Sequence, residues 1–349
     1  MKQLNDISDV IWLQTSFIGD VVLTTSAMAS LASAVPGIKQ HMITTKAGAQ
    51  TLDNHPLLNS THIFSKRDGL ISPILKVRKS IKDLNLRSPV ILQPHKSLRS
   101  TILARLLGYP TITYCETSFS WTADVTIPRV AVFHEADRIA LLLEGLGLSR
   151  KDFLGRRPLL PQKHLPDYAM AILNKNLNWI GVAPGSVWAT KRWPSAKYAN
   201  LVSQLLQKSD YGIILLGGPE DRTACSFIEA SSLTSTPAAA TRLLNLAGKT
   251  DLKDLPAIYA HLHCLISNDS SPIHYASAFN VPTLAIFGAT VPSMGFAPLA
   301  DKRVVAQTEL SCRPCGVHGH QKCPLDHFRC MNDLSVETVL GKIQQLISL

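Results

Sequence analysis

Three short stretches of this chain carry side chains able to do chemistry on a polar ligand. The first runs from Ile266 to Gly288, ISNDSSPIHYASAFNVPTLAIFG. An apolar run of strand type ends there in Asn268-Asp269-Ser270-Ser271-Pro272, and a helix of small residues opens at Ile273. Pro272 suits a first helical position, where its missing N–H costs nothing. The backbone N–H groups of Ser270, Ser271 and Ile273 would then point out of the helix start, which is a ready anion site. Asp269 stands beside them as a carboxylate where a phosphate would sit, so it reads as a binder of hydroxyls rather than of phosphate oxygens. The same residues also make an ordinary helix cap, and spacing alone leaves the two readings level.

The second stretch is Gly19-Asp20, which follows the strand-like Val10 to Gln14 and opens a helix. It lacks the three-glycine dinucleotide fingerprint, but one glycine lets a ligand approach the backbone closely. Asp20 is either a working acid or a first-turn carboxylate that complements the helix dipole. A paired-carboxylate hydrolase would need a second acid near it, and the sequence places none. The third stretch is Cys312-x2-Cys315-x7-Cys323-x6-Cys330, with His318, His320 and His327 among the cysteines. This spacing admits a structural zinc or iron, structural thiols or redox chemistry, and the residues leave all three open. Cys115, Cys225 and Cys264 lie in apolar surroundings and are expected in the core.

The elements that must hold these residues alternate. In the first half, strand-like runs at 41–44, 62–64, 90–92 and 111–114 are separated by helices at 48–54, about 72–84 and 98–107. A loop from Trp121 to Pro128 precedes a helix from His134 to Leu146. Gly155 to Pro161 breaks the pattern, which places a linker near residues 152–165. The second half restarts with a strand at Trp179–Ala183, a long loop from Pro184 to Pro194 and a helix at 198–206 capped by Ser195. A strand at 212–216, a helix from about Glu220 to Ala230, a flexible surface at 231–240 and a helix at 251–259 follow, and an amphipathic helix at 336–346 ends the chain. Such alternation predicts an α/β chain with doubly wound parallel sheets. Two halves of this kind, each with loops at its strand ends, are expected to face a cleft between them.

Composition narrows the class. A chain of 349 residues holds about two domains with two cores. No run approaches the ~18 apolar residues of a membrane span, and Met1 to Asp9 lacks the apolar centre of a signal peptide, so a cytoplasmic protein is expected. The net charge of +10 is uneven: residues 1–160 carry 19 lysines and arginines against 12 aspartates and glutamates. Lys66 to Arg105 alone holds ten basic residues and two acids. Basic patches recruit anionic partners, whether nucleic acid, acidic lipid or a phosphorylated substrate. Neither an aromatic ladder nor a nucleic-acid motif accompanies this one, so no nucleic-acid partner is expected.

Taken in order, Ser16-Phe17-Ile18-Gly19-Asp20, the run Pro184-Gly185-Ser186-Val187-Trp188-Ala189-Thr190-Lys191-Arg192-Trp193-Pro194, Asn268 to His274 and Phe287-Gly288-Ala289-Thr290 resemble the ADP-heptose:lipopolysaccharide heptosyltransferases. The resemblance covers nearly the whole chain and extends to Cys312-Arg313-Pro314-Cys315 and Cys323-Pro324, as in the second-heptose branch. It implies a GT-B fold of two Rossmann-like domains, 1–158 for the acceptor and 159–349 for the sugar nucleotide, with the terminal helix returning to the first. It implies an inverting, metal-independent transfer of L-glycero-D-manno-heptose from ADP-heptose to a heptose or Kdo of the anionic lipopolysaccharide core, at the cytoplasmic face of a Gram-negative inner membrane. An outer-core sugar, a protein hydroxyl and a non-enzymatic module that binds nucleotide sugars or polyanions are the alternatives.

By the same resemblance Asp20 matches the catalytic base, and Lys191 the lysine on the donor phosphates and leaving group. Asp269 matches the aspartate on the heptose. Ser186, Thr190, Glu220, Ser270, Ser271 and His274 fall with the donor, Glu220 at the ribose. Gly19, Lys66, Arg67, His95, Lys96 and Arg99 fall with the acceptor. Ser271 stands where glycine is common in the family, and Ala289 where proline or serine often occurs. No cofactor is implied, and the cysteine loop would lie near the cleft without needing a metal. Trp188 and Trp193 flank Lys191 and read either as donor lining or as loop packing.

Overall fold

The computed structural model describes residues 6–65, 68–69, 71–173, 177–208 and 210–348. The chain divides into two units, Met1–Pro161 and Gln162–Leu349. In the first, β1 (Asp9–Leu13), β2 (Lys39–Thr44), β3 (Ser60–Ile63), β4 (Pro89–Gln93), β5 (Thr111–Tyr114) and β6 (Val125–Ile127) form one parallel sheet. Helices α1 (Ile18–Ala34), α2 (Lys46–Thr51), α3 (Ile71–Lys82), α4 (Leu98–Leu107) and α5 (Glu135–Ala140) connect or cover its strands. The strand order is β3-β2-β1-β4-β5-β6. β1 is buried along its whole length, as a central parallel strand covered on both faces must be. Helix α1 is buried over most of its surface despite its serines and threonines, because Thr25, Ser26 and Ser30 return their hydroxyls to carbonyls three or four residues back. Gly108 ends α4 in the left-handed region that favours glycine.

The second unit repeats the plan. It contains α6 (Asp167–Leu173), β7 (Trp179–Ala183), α7 (Ser195–Lys208), β8 (Gly212–Leu215), α8 (Arg222–Ser235) and β9 (Leu243–Asn245). Then come α9 (Leu255–Ala260), β10 (Leu262–Asn268), α10 (Pro272–Ala278), β11 (Thr283–Phe287), β12 (Arg303–Gln307), α11 (Arg329–Asn332) and α12 (Val336–Ser348). The parallel order is β12-β11-β10-β7-β8-β9. In both sheets the first and fourth strands lie side by side at the centre and the order reverses between them. Ligands of doubly wound sheets bind beyond the carboxyl ends of the strands at that reversal. The loops after β1 and β4 occupy this position in one unit, and those after β7 and β10 in the other.

Several expectations need correction. Residues 231–240 are not a flexible surface: α8 runs on to Ser235, with helical turns after it. The loop expected over 121–128 contains β6, whose three residues are too few and too exposed to show alternation. Edge strand β12 and helix α6 have no counterpart in the sequence reading. The helix expected to Leu146 is α-helical only to Ala140 and continues in tighter turns. Ser195 is the first helical residue of α7 rather than its cap. The terminal helix buries Val339, Leu340 and Ile343 in the core of its own unit, beside Ile286 and Ala306.

Candidate functional site

In the first unit the loop after β1 delivers Gly19 and Asp20 into the first turn of α1. Asp20 is partly buried. Ser16 Oγ lies 2.8 Å from its Oδ2 and 2.7 Å from Gln14 Oε1, so one hydroxyl proton serves two acceptors. Gln14 in turn donates to Thr24, whose hydroxyl bonds the Asp20 carbonyl at 2.7 Å. Burial pushes the Asp20 carboxyl up to about 6, and the negative Glu135 adds to the rise against the Ser16 and Phe17 hydrogen bonds and Arg129. Glu135 is the second acid that the sequence did not place. It opens α5 and is held by Arg129 and, at 3.1 Å, by Arg138. Its signal was present only as a first-turn acid between two arginines.

Across the reversal, His95 in the loop after β4 sits within 2.8 Å of both Thr15 and Ser100 through Nδ1. Gly19, Asp20 and His95 thus share one edge of the sheet. Lys96 and Arg99 are exposed beside them, Arg99 in the first turn of α4. Lys66 and Arg67 lie outside the described residues. Cys115, expected in the core, is exposed at the end of β5. Cys225 and Cys264 are buried as expected, and burial pushes both thiols up to about 12.

In the second unit the loop after β7 and the loop after β10 meet in an ion pair. Lys191 Nζ is 2.7 Å from Asp269 Oδ2, with side-chain exposures of 13% and 5%. Thr290 donates its hydroxyl to the same oxygen at 2.6 Å. Asn268 fixes the two loops: its side chain donates to the Pro184 carbonyl and accepts from the Trp193 amide and the Tyr198 hydroxyl. Ser270 donates to the Gly185 carbonyl at 3.3 Å, and Arg192 Nε to the Ser186 carbonyl at 2.7 Å. Gly185 is required for close approach, since a Cβ there would stand 2.4 Å from the Asp221 carboxylate. Asp221 accepts from the Gly218 amide at 2.9 Å, and burial raises its carboxyl.

Some donor-side expectations change. The Ile273 amide is not free for an anion; it donates to Ser270 O at 3.2 Å. Glu220 is exposed in the turn after β8, and the half-buried neighbour that the sequence reading missed is Asp221. His274 is buried on α10 with its ring 6.2 Å from Phe296. Trp193 is core, its indole donating to Leu334 O at 3.0 Å. Trp188 stacks on His318, with centroids 6.4 Å apart.

The cysteine-bearing segment supports this site through its backbone and Arg313. The Thr190 amide and hydroxyl both donate to His320 O, at 3.0 and 2.9 Å, while the His320 amide donates to Thr190 Oγ1 at 2.8 Å. Arg313 donates to the carbonyls of Gly288, Thr308 and Thr290, the last at 2.8 Å, and so fixes the turn that presents Thr290. Gly288 leaves room there, for a Cβ would stand 2.7 Å from Thr190 O. Cys330 lies in the core, and burial pushes its thiol up to about 11. Cys315 also rises by burial, with Cys312 and Cys323 as charged neighbours if ionised. Among the described residues, no group of three or more His, Cys, Asp or Glu side chains is arranged to hold a metal.

Two doubly wound units, each with polar side chains at its strand-order reversal, make this an α/β protein of two Rossmann-like domains. Residues 90–326 match the family model for glycosyltransferase family 9 (heptosyltransferase), and the chain belongs to that family. A lipooligosaccharide heptosyltransferase 2 of Campylobacter jejuni is 29% identical over 178 residues, 50% of this chain and 53% of that protein. The chain spans about half the length of the curated relatives it matches first. A family 9 glycosyl transferase structure from Veillonella parvula covers 100% of this chain and 98% of its own, with TM-score 0.81 and 19% identity. The Escherichia coli ADP-heptose lipopolysaccharide heptosyltransferase II structure covers 97% and 98%, with TM-score 0.77 and 22% identity. These likenesses establish the GT-B fold.

Proposed function

We propose that this chain transfers a heptose from ADP-heptose to the sugar core of lipopolysaccharide, with inversion and without a required metal. The observation that carries the reading is the Lys191–Asp269–Thr290 constellation at the reversal of the second sheet, in a member of a heptosyltransferase family. In this reading an acceptor hydroxyl oxygen bonds to the anomeric carbon as the carbon–oxygen bond to the diphosphate breaks. Asp20 takes the hydroxyl proton; its carboxyl, raised to about 6, is ionised at neutral pH yet basic enough to accept it. Lys191 stabilises the negative charge gathering on the departing ADP, the task that a divalent ion performs elsewhere. Asp269 holds heptose hydroxyls, and Ser186, Ser270 and Ser271 lie by the diphosphate. His95, Lys96 and Arg99 receive the acidic acceptor, with the first unit serving the acceptor and the second the donor.

The acceptor is lipid-anchored in this reading, so the enzyme works at the cytoplasmic face of a Gram-negative inner membrane. Incubation with ADP-heptose and a panel of core oligosaccharides, read by mass, tests the assignment. A gain of one heptose on an inner-core acceptor, persisting in EDTA, is the expected result. No gain on any acceptor would leave a binding module. Loss on chelation with recovery on magnesium would overturn the metal-independent chemistry.

A further inference from the structure

Helices α3 and α4 lie on the same side of the first sheet. Ile74, Val77 and Ile81 from one and Leu103, Ala104 and Leu107 from the other pack into one core over Ile11, Leu13, Ile43 and Ile91. Their outward faces are unusual for solvated helices. On α3, Ile71 is 73% exposed and Leu75, one turn on, 55%. On α4, Leu98 is 48% exposed and Leu106 46%. The same helices expose Lys76, Lys79 and Lys82 on α3 and Arg105 on α4, with Asp83 beyond the end of α3 as an opposing acid. Each helix keeps a second, buried apolar stripe for the sheet, so these outer residues are surplus to the fold.

Apolar and basic side chains alternating on one outward face match the interface of an anionic bilayer. There the aliphatic groups enter the acyl boundary, and the cations snorkel to lipid phosphates. Free polyanions would be met by the charges alone and would leave Ile71 and Leu75 without a role. The position also fits. In a parallel sheet every helix that follows a strand begins at the carboxyl edge, so Ile71 and Leu98, the first residues of α3 and α4, stand at the edge that carries Asp20 and His95.

We propose that the outward face of α3, with Leu98 at the start of α4, forms a membrane-docking surface for anionic lipid, which brings the Asp20 edge of the unit to the bilayer. The surface deepens the proposed function, and it rests on that reading only for the lipid-anchored acceptor.

Co-sedimentation of the full chain with phosphatidylglycerol-containing vesicles, against phosphatidylcholine alone, is the test. Binding should require the anionic lipid and weaken as salt rises. Removing one lysine charge, Lys76→Gln or Lys79→Gln, should lower the partition coefficient about fivefold, and Ile71→Ser with Leu75→Ser tenfold or more. All four side chains are exposed, so turnover on a delipidated core oligosaccharide should stay at the wild-type value. Equal sedimentation with both vesicle types, or equal sedimentation of wild type and variants, would overturn the proposal. So would variants that sediment normally but turn over the delipidated acceptor poorly, since the face would then belong to the glycan. Vesicle binding with the expected losses, but no turnover on any acceptor, would uphold the surface and reject the transferase reading.

Discussion

Each unit places a carboxylate at its strand-order reversal, after the first strand in one and after the fourth in the other, and the two are treated in opposite ways. In the first, Asp20 has an uncharged serine shared with Gln14, and burial and Glu135 make ionisation costly. In the second, Asp269 is paired with an ammonium and accepts a threonine hydroxyl at the same oxygen. A carboxylate that must receive a proton is best left under-stabilised as an anion. One that must stay put and hold a ligand is best fully partnered. In the proposed reaction this contrast suits a moving proton in the first unit and a fixed grip in the second.

The largest expected effect breaks the comparison on the Asp20 side. Asp20→Asn should reduce turnover ~100- to 10,000-fold while donor affinity, measured by calorimetry, stays nearly unchanged. The same variant should be more stable than wild type above pH 6. The folded carboxyl titrates near 6 against 3.8 for an ordinary aspartate, so its ionisation opposes folding, fully above about 6 and not at all well below 3.8. Thermal melts across that range should show the gain of the variant vanish as pH falls. A variant within threefold of wild-type turnover would remove Asp20 from the chemistry.

On the other side, Lys191→Ala leaves Asp269 with Thr290 alone among the partners described above. Donor affinity and turnover should both fall, by about tenfold to a few hundredfold, because one cation serves ground state and transition state. Asp269→Ala should instead weaken ADP-heptose binding with little effect on ADP. Equal losses for both ligands would contradict the grip assigned to it.

A smaller effect sharpens the contrast. Glu135→Gln removes a negative neighbour that helps raise Asp20, so the acid limb of the pH–rate profile should move to lower pH by a fraction of a unit. An unmoved limb, with the fold intact by circular dichroism, would mean that burial alone sets the base. Smaller still, Arg313→Lys loses the planar fork that spans four carbonyls and should raise donor KM a few-fold with kcat nearly kept.

Asp20 and Asp269 were legible because each follows a strand and lies at or near the start of a helix whose signals are local, whereas Lys191 was singled out by the family resemblance alone. The bounds of α4 were legible for the same reason, with Ser97 before it and Gly108 after it. Thr290, Arg313 and Asp221 were not, since each acts on a loop distant in sequence. Nothing at Thr290 announces a carboxylate 21 residues earlier. The supporting role of the cysteine segment was hidden for a related reason: its grip on Thr190 runs through a backbone carbonyl that leaves no mark in composition. Short strands β6 and β12 escaped because edge strands need not be apolar.

The grip of His320 on Thr190 spans 130 residues, and Trp193 reaches further to the Leu334 carbonyl. During synthesis the first unit can fold while the Lys191 loop still lacks both anchors. At ~5–20 residues per second, the ribosome takes roughly 7 to 29 seconds to deliver both. The Lys191 loop is thus among the last parts of the chain to be completed, and a nascent chain stalled before His320 carries a finished Asp20 edge but a Lys191 loop without these two anchors.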